Sequence, residues 1–164
     1  MSTEPDGPDD EITILPAPFG WLRLTARGDM LTGIDVLVNE LEVKPPNTAF
    51  LAAAAEQFSR YFENPSYPLS LPLQAVGTIY QTRIWTELRR IPLGKTDTYT
   101  GLANKTGSGP RAIAGACKAN PYPIIVPCHR VLALHGLGGY CGAQEGAFMA
   151  VKRWLLQHEG VRLD

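Results

Sequence analysis

The sequence predicts an α+β protein of two lobes, a small N-terminal α/β lobe followed by a helix-turn-helix C-terminal lobe. Three observations carry this. Residues 12–43 alternate in the manner of strands. Pro and Gly crowd residues 64–78. From Thr78 onward, short apolar-periodic segments are separated by Gly-rich turns, the pattern of helix, turn, helix. The expected divisions are a disordered acidic tail over 1–11, an α/β domain over 12–63, a linker over 64–77 and a second domain over 78–164.

Ile12-Thr13-Ile14-Leu15 reads as a strand broken by Pro16-Ala17-Pro18. Residues 21–26 make a second strand with Gly28-Asp29 as a turn, and residues 31–38 a third. Pro45-Pro46 ends the sheet and Asn47 caps a helix over 48–62. Phe50, Leu51, Ala54, Phe58, Tyr61 and Phe62 lie on or near one face of it. Nothing in this half looks catalytic.

Gln81 to Arg90 predicts a helix closed by Ile91-Pro92-Leu93-Gly94. Thr98 or Asp97 caps the next, through Leu102, Ala103 and Lys105. Thr106-Gly107-Ser108-Gly109 is a turn, and Pro110 suits the first position of a third helix over 111–119, stopped by Asn120-Pro121. That helix is almost all small residues. Alanine favours helix in any case, but a low-profile helix with Arg111 at its start and Lys118 near its end also suits a narrow groove such as the DNA minor groove.

Tyr122-Pro123-Ile124-Ile125-Val126 reads as a short buried strand or extended segment, because its last three residues are β-branched and Pro127 biases Val126 toward extended geometry. Cys128-His129-Arg130 follows at once and offers a nucleophile, a base and a positive charge in one small volume. A lone cysteine is most often a small core hydrophobe; beside His and Arg, after a rigid proline, the functional reading is favoured. Residues 131–134 continue as a strand, residues 135–140 are a glycine-rich turn, and an amphipathic helix over 146–158 ends at Glu159-Gly160.

A chain of 164 residues, 45% hydrophobic, can bury one ordinary core or two small ones. No stretch is long and apolar enough for a membrane span, and the acidic start lacks the features of a signal peptide. Three cysteines without a secretion signal predict free thiols in a reducing compartment. None has a C-x-x-C partner, which argues against a zinc site. Residues 1–75 carry 4 Lys+Arg against 11 Asp+Glu, and residues 76–164 carry 11 against 5. Net charges of -7 and +6 suggest that only the second half meets a polyanion, although a dispersed solvated surface gives the same count.

Asn120-Pro-x-Pro-Ile-Ile-Val-Pro-Cys128-His129-Arg130-Val131 resembles the active-site signature of the O6-alkylguanine-DNA alkyltransferases, the methylated-DNA–protein-cysteine methyltransferases. The likeness extends to Gly77-Thr-x-Tyr-Gln81-x-x-Ile-Trp85, Ile91-Pro92-x-Gly94, Tyr99 with Leu102-Ala103, Arg111-Ala112, Gly139-Tyr140 and Lys152-Arg-Trp-Leu-Leu-x-His-Glu159-Gly160, over residues 70–160. It implies an N-terminal lobe of ribonuclease-H-like topology and a winged-helix C-terminal lobe. It implies a cofactor-free monomer, cytoplasmic or, in a eukaryote, nuclear. This protein would bind double-stranded DNA by the minor groove and move an alkyl group from O6 of guanine, and from O4 of thymine, to Cys128 in one irreversible turnover.

On that resemblance, Cys128 is the nucleophile, His129 the base acting through a water, and Glu159 the carboxylate that holds the imidazole. Tyr99 protonates or hydrogen-bonds the leaving base. Asn120 fixes the turn before the Cys segment, and Arg130 is scaffold. Arg111 enters the stack vacated by the flipped base, with Ala112, Gly115, Lys118, Thr78 and Tyr99 beside the DNA. Cys117, Val131, Tyr140 and Cys141 line the pocket, and no metal is expected. Taken without the family, Tyr99 is as readily a core residue, Arg111 a phosphate contact and Asn120 a helix cap.

Three features depart from the common pattern. The Tyr99–Arg111 stretch is about two residues shorter, Cys141 stands where a serine is usual, and residues 143–146 look inserted beside the pocket. A non-catalytic winged-helix damage binder is the alternative, although the catalytically dead branch lacks the cysteine that this chain has. A cysteine hydrolase is a third class, and no oxyanion-hole segment is recognisable.

Overall fold

The computed structural model describes residues 10–39, 42–143 and 145–163. The chain forms two compact units, Met1–Ala75 and Val76–Asp164. Both mix helices with small β elements.

The first unit is a three-stranded antiparallel sheet in the order β1 (Glu11–Ala17), β2 (Gly20–Arg27), β3 (Met30–Leu37), with the helix α1 (Ala49–Glu63). Of the expected tail, residues 1–9 lie outside the described residues. Asp10 pairs with Arg27 at 2.8 Å and Glu11 opens β1. Pro16 does not break the first strand, as the sequence reading had it. It pairs with Trp21 inside β1, which is an edge strand and can spare an N–H. The register shifts at Thr25/Ala26, where Thr32 is the extra residue opposite. That bulge changes the parity of β3, so that Leu31 is buried together with Ile34 and Val36.

Helix α1 buries Leu51, Ala54, Phe58 and Tyr61 and packs on β1 and β2. Leu51 and Phe58 contribute about 1.5–3 kcal/mol each. Its N-cap is Thr48, which accepts from Leu51 N–H, rather than Asn47, which reaches Glu11 instead. The Pro-rich residues after α1 lie within the first unit: Leu31 N–H donates to Pro72 O and Gln74 N–H to Leu31 O.

The second unit holds α2 (Ile79–Leu88), β4 (Asp97–Thr98), α3 (Tyr99–Thr106), α4 (Pro110–Lys118), a 3-10 turn over Cys128–Arg130, β5 (Val131–Leu132) and α5 (Ala147–His158). Helix α2 starts two residues before the expected position, because Thr78 and Gln81 form a reciprocal capping box. Thr98, not Asp97, caps α3. Gly107, in the left-handed region at φ 67, ends it. Tyr80 and Arg83 pin the turn between α3 and α4 through Ser108 Oγ and Thr106 O, both at 2.6 Å. Trp85 Nε1 donates to Ala116 O at 2.8 Å and fixes α4 on α2. The expected strand after the Cys segment is only Val131–Leu132, parallel to β4. Among the described residues no helix is long and apolar enough to cross a membrane.

Candidate active site

The segment before Cys128 is a tight buried turn, not the strand its β-branched residues predict. Ile124 sits at φ 79, strained for a β-branched residue, and Val126 N–H closes on Tyr122 O at 2.8 Å. The Asn120 side chain holds it from both ends, accepting from Tyr122 N–H at 2.9 Å and donating to Val126 O at 2.8 Å. Such strain persists where the surroundings over-determine it. Here it places Cys128 at the end of a rigid turn.

Cys128 is 6% exposed and lines a cavity of about 490 Å³. Tyr99, Cys117, Tyr140 and Cys141 line the same cavity, together with Lys118 and the small residues Ala114, Gly115, Ala133, Gly138, Gly139, Gly142 and Ala143. Val131, expected in the lining, is fully buried and is not part of it. Cys141 and Gly142 both have positive φ, and Tyr140 and Ala143 exchange backbone bonds of 2.8 and 2.9 Å around them. That is the two-residue hairpin form in which both central residues are left-handed. Of the inserted stretch beside it, Gln144 lies outside the described residues.

Behind the thiol, His129 Nε2 lies 2.9 Å from Glu159 Oε1, with both side chains fully buried. Arg130 grips the same carboxylate through Nε at 2.8 Å and Nη2 at 3.0 Å, and donates from Nη1 to Ile91 O. An ionised carboxylate only accepts, so Nε2 carries the imidazole proton and Nδ1 is left basic. His129 Nδ1 is buried without a partner among the described residues. Burial holds the imidazole below its usual range, against the pull of Glu159. The ring is therefore neutral at pH 7 and able to take a proton.

Burial also raises the Cys128 thiol, while the Asn120 amide and the Lys152 ammonium draw it down. The resting group is a thiol that needs a base. Tyr99 is pushed up to about 12, by burial first and then by Cys117 and Cys128. It keeps its proton and acts as a donor. Its hydroxyl makes only a long bond of 3.5 Å to Gly139 O, which a ligand could displace. Cys117, pushed to about 12 by burial, is inert as a nucleophile near neutral pH.

The neutral imidazole carries a prediction. Between the usual value of 6.5 and its lower folded value, the unfolded chain binds a proton that the folded chain does not. His129 thus adds stability that is lost as pH falls through this window. The melting temperature should drop below pH 6.5, and less steeply in His129→Asn. Equal slopes in the two proteins would refute this.

Helix α4 buries Ile113 and Ala116 and exposes Arg111, Ala112, Ala114, Gly115 and Lys118. Its N-cap, Gly109, makes no side-chain cap bond, and Pro110 at its start has no N–H to satisfy. Arg111, Ala112 and Thr78 lie outside the cavity lining, and Thr78 serves as the cap of α2.

The model of the 6-O-methylguanine DNA methyltransferase DNA-binding domain matches residues 79–161. The constitutive methylated-DNA–protein-cysteine methyltransferase of Bacillus subtilis is 32% identical over 163 residues, covering 91% of this chain and 94% of that protein. The chain belongs to the methylated-DNA–protein-cysteine methyltransferase family. A probable family member from Acanthamoeba polyphaga mimivirus is 41% identical over 153 residues, covering 91% and 96% of the two chains. The Mycobacterium tuberculosis O6-methylguanine methyltransferase has a TM-score of 0.77 at 34% identity over 92% of each chain. A structure of Mycobacterium tuberculosis OGT in complex with DNA has a TM-score of 0.74 at 33% identity, over 90% of this chain and 92% of that one. The mixed α/β fold with a small antiparallel sheet is that of these methyltransferases.

Sequence reasoning quoted Lys152 in the matching terminal block but gave it no role in this family member. It is fully buried in α5 and bonded to three backbone carbonyls near the cavity. The available signal was its seven-residue spacing from Glu159, which puts both on one helix face with Leu155 and Leu156.

Proposed function

We propose that the protein repairs DNA directly by moving an alkyl group from O6 of guanine, and from O4 of thymine, to Cys128 in a single irreversible turnover. The observation that carries this is a buried thiol lining a cavity of about 490 Å³, ample for a purine, and backed by a neutral imidazole with one free basic nitrogen. His129 Nδ1, through a water, takes the thiol proton, and Glu159, already neutralised by Arg130, stabilises the resulting cation. The thiolate attacks the alkyl carbon in line. The S–C bond forms as the C–O bond breaks, and the electron pair leaves with guanine. Tyr99, which holds its proton well past neutral pH, hydrogen-bonds or protonates that leaving base. The product thioether has no S–S bond for a cellular thiol to exchange with, which makes the protein a reagent used once. The added group overpacks the buried site, so the spent protein should be less stable by about 1–3 kcal/mol.

We read the first unit as ribonuclease-H-like and the second as a winged helix. The protein acts as a monomer in the compartment that holds its DNA. Helix α4 supports minor-groove docking: it exposes small side chains and a cation near each end. A damaged base flipped toward Cys128 costs a few kcal/mol, and Arg111 takes its place in the stack.

Incubation with an oligonucleotide duplex containing O6-methylguanine, followed by intact and peptide mass, tests the reading. One methyl group should appear, on the peptide carrying Cys128. No gain in reduced protein, or labelling of Cys117 or Cys141 alone, would sink it. Arg111→Ala should slow repair in duplex DNA by about 10-fold or more, the scale of an unsupported flip, and leave reaction with a free alkylated base nearly unchanged. Equal losses would argue against insertion of Arg111.

A further inference from the structure

We infer that Cys141 is a second acceptor in the same pocket: when the alkyl group carries a leaving group of its own, as a 2-chloroethyl group does, Cys128 takes the near carbon and Cys141 takes the far one. The inference rests on the alkyl-transfer reading above and adds a substrate class to it.

All three cysteines of the chain line one cavity, and three separate elements bring them there. Helix α4 supplies Cys117 in its last turn, the 3-10 turn supplies Cys128, and the hairpin closed by Tyr140 and Ala143 supplies Cys141. The hairpin is held in place. Its two backbone bonds are 2.8 and 2.9 Å, and Cys141 sits in the left-handed region at φ 51. The next residue rests on the end of α4, since a Cβ on Gly142 would meet Lys118 Cε at 3.1 Å and its Cδ and Cγ at 3.6 Å. Much of the remaining lining is Ala and Gly, and a volume of about 490 Å³ leaves room beside a purine for a two-carbon arm.

The chemistry follows from what transfer leaves behind. After the first displacement the Cys128 sulfur carries a chloroethyl arm. That sulfur displaces chloride from the far carbon and closes a three-membered sulfonium ring, a strong alkylating agent. Water would open the ring to a hydroxyethyl thioether, and a nearby DNA base would open it to a protein–DNA crosslink. The Cys141 sulfur opens it by attack on a ring carbon. One S–C bond forms, one ring C–S bond breaks with its electron pair returning to the Cys128 sulfur, and the Cys141 proton goes to solvent. The product is an ethylene bridge between two thioethers, with chloride the only group lost. A well-oriented group in the same site acts at an effective concentration on the order of 10⁵ M or more, above that of water.

The two remaining thiols are not equivalent. Burial pushes Cys117 to about 12, so it keeps its proton. Cys141 is exposed, and its anion keeps its water. The serine usual at this position is not ionised near neutral pH and would leave the arm to water or to DNA. A methyl group has no second carbon, so simple repair makes no use of Cys141.

The test compares a duplex containing O6-methylguanine with a freshly prepared one containing O6-(2-chloroethyl)guanine, by intact mass, peptide map and free-thiol count. Wild type should gain one methyl group from the first. From the second it should yield a Cys128–Cys141 bridge, lighter by one water than the hydroxyethylated protein, with one thiol left free of three. The fate of the arm is read after transfer, so it does not depend on the transfer rate. In Cys141→Ser the ratio of bridged to hydroxyethylated protein should fall by about 10-fold or more, and protein crosslinked to DNA on a denaturing gel should rise. Cys117→Ser should still bridge. A wild type that takes the methyl group yet ends unmodified, hydroxyethylated or crosslinked with the second duplex would overturn the inference alone. So would a bridge that runs to Cys117 or survives in Cys141→Ser. Should Cys141→Ser fail to fold, the wild-type peptide map decides. No methyl gain from the first duplex would reject the repair reading itself.

Discussion

Cys128→Ser should abolish methyl transfer, by on the order of 10⁴-fold or more, while leaving the protein folded and able to bind alkylated duplex. The scale is that of removing a nucleophile from a group that acts as a unit with its His and carboxylate. The physical reason is ionisation. A thiol is a few per cent ionised near neutral pH even before help, whereas a serine hydroxyl is not ionised there, and burial disfavours either anion. The substitution changes one atom at a position 6% exposed, so packing is nearly conserved. The turn held by Asn120 does not depend on the sulfur, because its bonds run to Tyr122 and Val126 backbone. Mass measurement should show no methyl on the variant, and an electrophoretic shift should show binding equal to wild type within about 3-fold. A methylated Cys128→Ser protein would place the acceptor elsewhere, with Cys117 and Cys141 the next thiols on the cavity.

The particular residues explain why this site was legible and where the reading failed. Cys128, His129 and Arg130 are adjacent in the chain, so their chemistry could be read without knowing the fold. Glu159 was found through resemblance, and the structure now gives a reason for it: the carboxylate holds the two residues that follow Cys128. The turn at Ile124 was misread because local propensity favours extended β-branched residues, while the bonds that override it come from a side chain four residues back. Pro16 was misread in the same way. An edge position, which the sequence does not display, is what lets a strand carry proline. The burial of Lys152 stayed unread, although the residue stands in the matching block, because a lysine on an amphipathic helix ordinarily marks the solvent face. Its acceptors are backbone carbonyls, which every residue has and no sequence pattern distinguishes.

Glu159→Gln should carry the second largest effect, and it should divide into a stability part and a rate part. The carboxylate is fully buried and is the charge partner of Arg130, whose side chain is 13% exposed. Neutralising it leaves a largely buried guanidinium uncompensated, which costs about 3 kcal/mol, the lower end for a broken buried pair because Arg130 keeps some solvent. The rate part comes from the imidazole. A glutamine amide can donate as well as accept, so the proton on His129 is no longer held at Nε2, and a ring protonated at Nδ1 cannot accept the Cys128 proton there. Loss of general-base function lowers the rate by about 10²–10⁴-fold. The two parts separate in a double variant. Arg130→Met with Glu159→Gln removes the stranded cation together with its partner and should recover most of the lost stability, but the rate should stay low because the tautomer is still unfixed. Urea denaturation and quenched single-turnover transfer give the two readouts. Recovery of rate along with stability would mean that Glu159 serves only to anchor Arg130, and that the imidazole is held by something other than its carboxylate.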